Sequence, residues 1–222
     1  MSLQLELSIS GQGEPLAEDS GFLSKQLITY IGNKRALLDF IGNGLEIVRK
    51  RLNRDKIDTF DVFSGSGIVS RYLKQFSNRL YANDLEKYSE IINKCYLTNR
   101  EDFNDSEFSD IYESITESLE RRPLKPGFIA ELYSPADDQH IKTAERVFYT
   151  SRNAAYLDTA RQLIETVPDE YKNYLLAPLL SEASIHANTS GVFKGFYKNS
   201  ETGLGQFGGK NGDALPRILG NI

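Results

Sequence analysis

Residues 61–67 read Asp61-Val-Phe63-Ser64-Gly65-Ser66-Gly67, and a second carboxylate, Asp84, follows roughly twenty residues on. Small residues at such a turn let a ligand approach the backbone. An acidic side chain at the end of the next strand can accept hydrogen bonds from both hydroxyls of a ribose. A nucleoside is therefore expected. Dinucleotide enzymes make the same ribose contact behind Gly-x-Gly-x-x-Gly, but here Ser70 holds the third glycine position and Asp61 stands at the strand end, where a pyrophosphate would meet like charge. S-adenosylmethionine carries an ammonium, a sulfonium and no phosphate, so a carboxylate there is favourable. Each feature alone has a plainer reading: a glycine turn closes many tight connections, and Asp84, directly before a helix, suits an N-cap. The pairing of the two points to a cofactor site.

A second constellation, Tyr30-Ile31-Gly32-Asn33-Lys34, stands immediately before the first helix. Exposed amides at a helix start, with a lysine beside them, favour an anion such as the amino-acid carboxylate of that cofactor. By itself, the run reads more readily as an asparagine cap with an incidental lysine.

These residues need elements to position them. Apolar residues at 37, 38, 41, 45, 48 and 52 follow helical spacing. Ile57–Phe63 alternates as a strand, residues 64–67 form the turn, and residues 68–76 return to helical spacing. Leu80–Ala82 reads as a second short strand, followed by a helix through Tyr96. This βαβα start is of the doubly wound kind, with ligands at the carboxyl ends of the strands. Beyond residue 100 the pattern is helical around residues 108–119, 156–164 and 171–183, and Pro178 should kink the last of these. Residues 189–220 read as loops or a hairpin. The fold class is thus α/β, with a leader or disordered segment at 1–23, a cofactor-binding part at 24–100 and a helical and loop region at 101–222.

A chain of 222 residues with 40% hydrophobic content can fill a core. One cysteine, Cys95, and two separated histidines, His140 and His186, give neither a disulfide framework nor a metal-ligand spacing. No apolar run approaches the roughly 20 residues that span a bilayer, and no signal peptide is visible, so a cytoplasmic protein is expected. The net charge of −5 argues weakly against a polyanionic partner. Charge is unevenly spread, however: 101–120 is acidic, whereas Lys194, Lys198, Lys210 and Arg217 outnumber Glu201 and Asp213 in the last segment.

Tyr-x-Gly-Asn-Lys, then Asp-x-Phe-x-Gly-Ser-Gly, then Asn-Asp-Leu, all within residues 30–85 and in that order, resembles the Dam-like, alpha-group family of adenine-specific DNA methyltransferases. The resemblance implies part of a Rossmann-like S-adenosylmethionine-dependent methyltransferase fold followed by a mainly helical target-recognition region. Tyr30, Gly32, Asn33 and Lys34 match the motif that wraps the methionine end of the cofactor. Asp61, Phe63, Gly65 and Gly67, with Ser64 between them, match its central cofactor loop. Asp84 matches the ribose ligand and Leu85 the neighbour packing on the adenine. The run Asn188-Thr189-Ser190-Gly191-Val192-Phe193-Lys194-Gly195-Phe196-Tyr197-Lys198, with Gln206–Gly209, also resembles a family stretch between the cofactor and catalytic loops.

In that family the intervening region recognises double-stranded DNA, and the composition here suits the task. Lys194, Lys198 and Lys210 can contact phosphate, and Ser190 and Tyr197 lie among them. Asn188, Asn199, Gln206 and Arg217 are types that read adenine or guanine. The competing reading is a solvated glycine loop rooted on core aromatics. Methylation of adenine also requires the family's Asp/Asn-Pro-Pro-Tyr/Phe motif, and this sequence has no Pro-Pro pair. No catalytic residue is therefore assigned, and the motif is expected on a C-terminal segment or a second chain. The alternative is a non-catalytic module that binds S-adenosylmethionine or DNA.

Overall fold

The computed structural model describes residues 21–23, 25, 27–29, 32–191, 193–209 and 211–222. Its first half is built around two parallel strands. In β1 (Ile57–Asp61) alternation buries Thr59 and Asp61 and leaves Phe60 outside. β2 (Ser77–Ala82) pairs with it in the register Phe60↔Tyr81 and Asp61↔Ala82, with an irregularity between Ile57 and Thr59. Parallel strands need a crossover, and α2 (Ile68–Leu73) supplies it. The helix α1 (Leu38–Leu52) follows a single 3-10 turn at Arg35–Leu37. Leu38 of α1 joins Ile68, Val69 and Leu73 in one core, with Leu80 packed against it. Gly42 permits this approach, because a Cβ there would stand 2.1 Å from the Tyr72 hydroxyl.

Among the described residues the opposite sheet face is uncovered. Phe60 and Tyr81 meet edge to face at 6.3 Å and are both exposed, as are Leu37 of the 3-10 turn and Phe40, Ile47, Val48 and Leu52 of α1. Their helical spacing gives α1 a second apolar stripe, beyond the one that contacts α2.

After α3 (Lys87–Tyr96), the chain beyond residue 100 is helical: α4 (Asp105–Arg121), α5 (Phe128–Tyr133), α6 (Ser151–Glu165), α7 (Asp169–His186) and α8 (Leu215–Leu219). One core joins Ile164, Val167, Tyr171 and Leu175 to Phe103, Phe108 and Ile111. Another joins Phe148, Tyr149, Ala154, Leu157 and Ala187 to Tyr133 and Phe196. The parts before and after residue 100 meet where α3, from the first, packs along α7, from the second, with Thr98 Oγ1 and Tyr174 Oη 2.9 Å apart. The expected break at residue 100 thus falls beside a shared packing face.

Several boundaries differ from the sequence expectation. β1 stops at Asp61 rather than Phe63, while β2 begins at Ser77, three residues before the expected start. Pro178, the expected kink position, lies inside α7. The short helix α5 had no periodic signal. The buried Asp158 of α6 holds its start, accepting from the N–H groups of Gly127, Ile129 and Ala130 at 2.8, 2.9 and 2.8 Å. A cap delivered by another helix leaves no trace in the local sequence.

Candidate cofactor crevice and recognition loop

An open crevice of about 600 Å³ lies at the carboxyl ends of β1 and β2. Its lining contains Gly32, Asn33, Lys34, Phe63, Ser64, Gly65, Asp84 and Leu85 from the sequence expectation, together with Ser66, Ile68, Val69, Asn83 and Glu86. Two of the expected residues sit outside the lining. Asp61 is buried and its carboxylate accepts from Ser70 Oγ at 2.7 Å. Gly67 has φ +72° and packs against Asn93, where a Cβ would come within 2.8 Å of Oδ1. Tyr30 lies outside the described residues.

Three amides of the glycine turn are already used within the protein. Ser64 N–H donates to Asn83 O at 2.9 Å, Gly67 N–H to Ser64 O at 2.8 Å, and Gly65 N–H to Asp84 Oδ2 at 2.8 Å. The other Asp84 oxygen accepts from Glu86 N–H at 3.0 Å. The Glu86 amide is the largest cause holding the Asp84 carboxyl below its usual range. The Gly65 and Leu85 amides and the Lys34 charge add to it, against the opposing effect of burial. Asn33 caps the following turn through Oδ1, which accepts from Arg35 N–H at 2.8 Å, and Lys34 Nζ donates to Phe63 O at 3.2 Å. At the rim, Leu85 is 97% and Phe63 76% exposed. Two apolar side chains beside an ionised carboxylate suit a ligand with an aromatic base and a sugar diol.

Arg71, which the motif reading passed over, is 1% exposed on α2. Its guanidinium donates to Phe22 O and Lys25 O, both at 2.5 Å, and lies over the Phe22 and Tyr96 rings at 5.6 and 5.8 Å. Burial lowers its pKa, with Tyr96 opposing. The same approach segment is fixed further on by α7, where Ser181 Oγ donates to Leu27 O and Ser184 Oγ accepts from Thr29 N–H. Two charge-assisted bonds and the ring contacts outweigh the cost of burying the cation. Arg71→Met should therefore lower the unfolding free energy by about 2–4 kcal/mol, measurable by urea denaturation. An unchanged midpoint would show that the strap contributes nothing. The lone cysteine, Cys95, is pushed up to about 12 by burial and has no thiolate to offer at neutral pH. Among the described residues no cluster could hold a metal ion.

The glycine-rich segment forms a small hairpin. Lys198 and Gly205 bridge antiparallel, and Gln206 N–H donates to Tyr197 O at 3.0 Å. Ser190, Lys194 and Lys198 are exposed and Tyr197 is half-buried. Lys210 lies outside the described residues. The amides and the guanidinium expected to read bases are bonded to the chain itself. Asn188, 0% exposed, donates to Val147 O and Gln206 O at 2.7 and 2.9 Å and accepts from Gly208 N–H at 3.1 Å. Asn199 Oδ1 accepts from Glu201 and Thr202 N–H, both at 2.9 Å. Gln206 Oε1 accepts from Asn199 at 3.2 Å, and its Nε2 donates to Gly209 O at 2.8 Å. Arg217 donates to Ile185 O, to Ala187 O at 2.8 Å and to Thr189 O at 3.3 Å.

Comparison with known proteins agrees with this geometry. Residues 30–207 match the model of the D12 class N6 adenine-specific DNA methyltransferases. The chain is 33% identical over 183 residues to the Type II methyltransferase M.CviAII of Paramecium bursaria Chlorella virus 1, covering 77% of this chain and 49% of that protein. It is 30% identical over 182 residues to the Type II methyltransferase M.NlaIII of Neisseria lactamica, covering 78% and 50%. Modification methylase LlaI of Lactococcus lactis subsp. lactis is 31% identical over 180 residues, covering 76% and 27%. No solved structure gives a significant match. The chain thus spans about half the length, or less, of these relatives. A family match over most of the chain places the protein in the D12 class N6 adenine-specific DNA methyltransferase family, whose enzymes use S-adenosylmethionine as methyl donor.

Proposed function

We propose that the chain is the S-adenosylmethionine-binding and target-recognition portion of a site-specific DNA adenine methyltransferase. The observation that carries this reading is the closed glycine turn. With the amides of Ser64, Gly65 and Gly67 satisfied within the protein, those three donors are spent, while a pyrophosphate is held by donated backbone N–H groups. The crevice offers instead an ionised carboxylate and two apolar rim side chains, which suit a phosphate-free nucleoside. Asp84 takes the ribose, Leu85 and Phe63 cover the adenine, and Gly32, Asn33 and Lys34 hold the amino-acid tail together with Tyr30. Ser64, Gly65 and Gly67 shape the turn, and the buried Asp61, held by Ser70, acts on the cofactor's positive end through its charge alone. Bound S-adenosylmethionine would supply an electrophilic methyl group for the exocyclic amine of a flipped adenine.

In this reading residues 24–100 form the cofactor half of a Rossmann-like sheet and 101–222 the recognition half, acting on double-stranded DNA in the cytoplasm. Ser190, Lys194, Tyr197, Lys198 and Lys210 meet the duplex. Asn188, Asn199, Gln206 and Arg217 shape the loop that presents them. The bare sheet face at Phe60 and Tyr81, and the apolar stripe on α1, favour an incomplete methyltransferase domain over a self-contained binding module. A further segment or chain with the Asp/Asn-Pro-Pro-Tyr/Phe motif completes it.

Isothermal titration calorimetry with S-adenosylmethionine, S-adenosylhomocysteine and NAD tests the assignment. The two sulfur nucleosides should bind and NAD should not. Binding of NAD alone would overturn it.

A further inference from the structure

We propose that Arg146 contacts the DNA backbone, and that the recognition surface is an aromatic platform carrying Arg146 and Lys198 with Lys194 beside them. This extends the surface beyond the glycine-rich loop to the segment ahead of α6, and it rests on the DNA-recognition reading above.

The platform is assembled from three stretches far apart in the chain. Tyr133 ends α5, Phe148 precedes α6, and Phe193 and Phe196 come from the loop. Phe148 stacks on Phe193 with centroids 4.4 Å apart and planes 21° apart, and meets Phe196 edge-on at 5.2 Å and Tyr133 at 5.7 Å. Two cations lie on these rings. The Arg146 guanidinium stands 4.3 Å from the Tyr133 centroid and 5.5 Å from that of Phe148, and Lys198 Nζ stands 5.2 Å from that of Phe196. Lys194, beside Phe193 in the chain, is exposed as well.

These three cations have no carboxylate partner among the described residues, whereas most exposed helical cations here are ion-paired, as Lys87, Lys94, Arg121 and Arg161 are. The acid next to Arg146 is committed elsewhere. Glu145 accepts from Ala136 N–H at 3.0 Å and from Lys142 N–H at 2.6 Å, and these two amides hold its carboxyl below the usual range.

A chain with net charge −5 that leaves three cations together and unneutralised presents a surface complementary to a polyanion. The form of the cations narrows the choice. A guanidinium resting on a ring keeps its in-plane N–H groups for a planar, two-point contact, which phosphate accepts. Packing on Tyr133 also restrains the side chain before binding, so less rotamer freedom is lost on contact. Phe193, 52% exposed and stacked on Phe148, adds an apolar surface that fits the deoxyribose strip between phosphates.

The test is fluorescence anisotropy of a labelled DNA duplex over a salt series. It compares the unaltered chain with Arg146→Gln, Arg146→Lys, Tyr133→Leu and, as a control, Arg121→Gln on α4; circular dichroism verifies folding. Arg146→Gln should weaken binding about three- to tenfold and reduce the log–log salt slope by about one. Arg146→Lys should keep the slope and lose part of the affinity. Tyr133→Leu should weaken binding at an unchanged slope, since it frees the guanidinium without removing its charge. Arg121→Gln should match the unaltered chain. If the unaltered chain binds the duplex and Arg146→Gln binds it with equal affinity and slope, the proposal fails while the DNA reading stands. If the unaltered chain does not bind any DNA duplex, both fail. An Arg146-dependent preference for RNA duplex over DNA would also overturn it.

Discussion

Asp84→Ala is expected to weaken S-adenosylmethionine binding by roughly 30- to 150-fold, about 2–3 kcal/mol. Each carboxylate oxygen of Asp84 already accepts one backbone amide, from Gly65 or Glu86. Each keeps lone-pair capacity for a ribose hydroxyl. Alanine removes both acceptors from the sugar and frees the Gly65 amide, loosening the turn on which the nucleoside rests. Because Asp84 is half-exposed, the lower part of the range for charge-assisted bonds applies. Calorimetry measures the change, and a loss below about threefold would remove Asp84 from the ribose contact. The pH dependence has a definite sign. The folded-state pKa is lowered by the Glu86, Gly65 and Leu85 amides and by Lys34. The contribution of the ionised group is complete above the ordinary carboxylate value of about 4 and disappears only as pH falls through the lowered folded value. Asp84 should therefore impose no change in affinity between about pH 8 and 5.

Asn188→Ala is expected to lower the unfolding free energy by about 2–4 kcal/mol, with a Tm drop of about 5–15 °C. The fully buried amide spans Val147, Gln206 and Gly208, tying the residues before α6 to the hairpin. Its removal leaves the buried Gly208 N–H and two carbonyls short of a partner, and an unmade buried hydrogen bond costs more than a made one contributes. Differential scanning calorimetry measures the drop. Duplex affinity at low temperature, where the variant stays folded, should change less than about twofold. A normal Tm with a selective loss of affinity for one DNA sequence would return Asn188 to base reading.

The two residues show where the sequence is legible. Asp84 could be placed from residue types and order, because it ends a strand that follows a strand–turn–helix unit and the parallel pairing of β1 with β2 brings it to the turn. Asn188 could not. Asparagine has the same hydrogen-bonding groups whether it faces a base or three backbone groups. Gln206, Asn199 and Arg217 share that ambiguity, since their bonds run to amides and carbonyls that every residue possesses. Arg71 and Arg146 were missed for a related reason: one is buried against carbonyls of residues 22 and 25, the other stacked on rings from positions 133 and 148, and neither belongs to a motif. The short helix α5, capped from α6 by Asp158, was invisible in the same way.

Residue order alone determined the βαβα start, the glycine turn, the second carboxylate and the helical character of the chain beyond residue 100. These depend on side-chain periodicity and on backbone conformations that glycine permits locally. Tertiary structure alone decided which polar groups the protein consumes and which it leaves for a ligand. It spent the Ser64, Gly65 and Gly67 amides and the Asn188 side chain, buried Asp61 and Arg71, and left Asp84, Arg146 and Lys198 accessible. Every buried donor and acceptor needs a partner, and distant segments supply those partners only after the chain has folded.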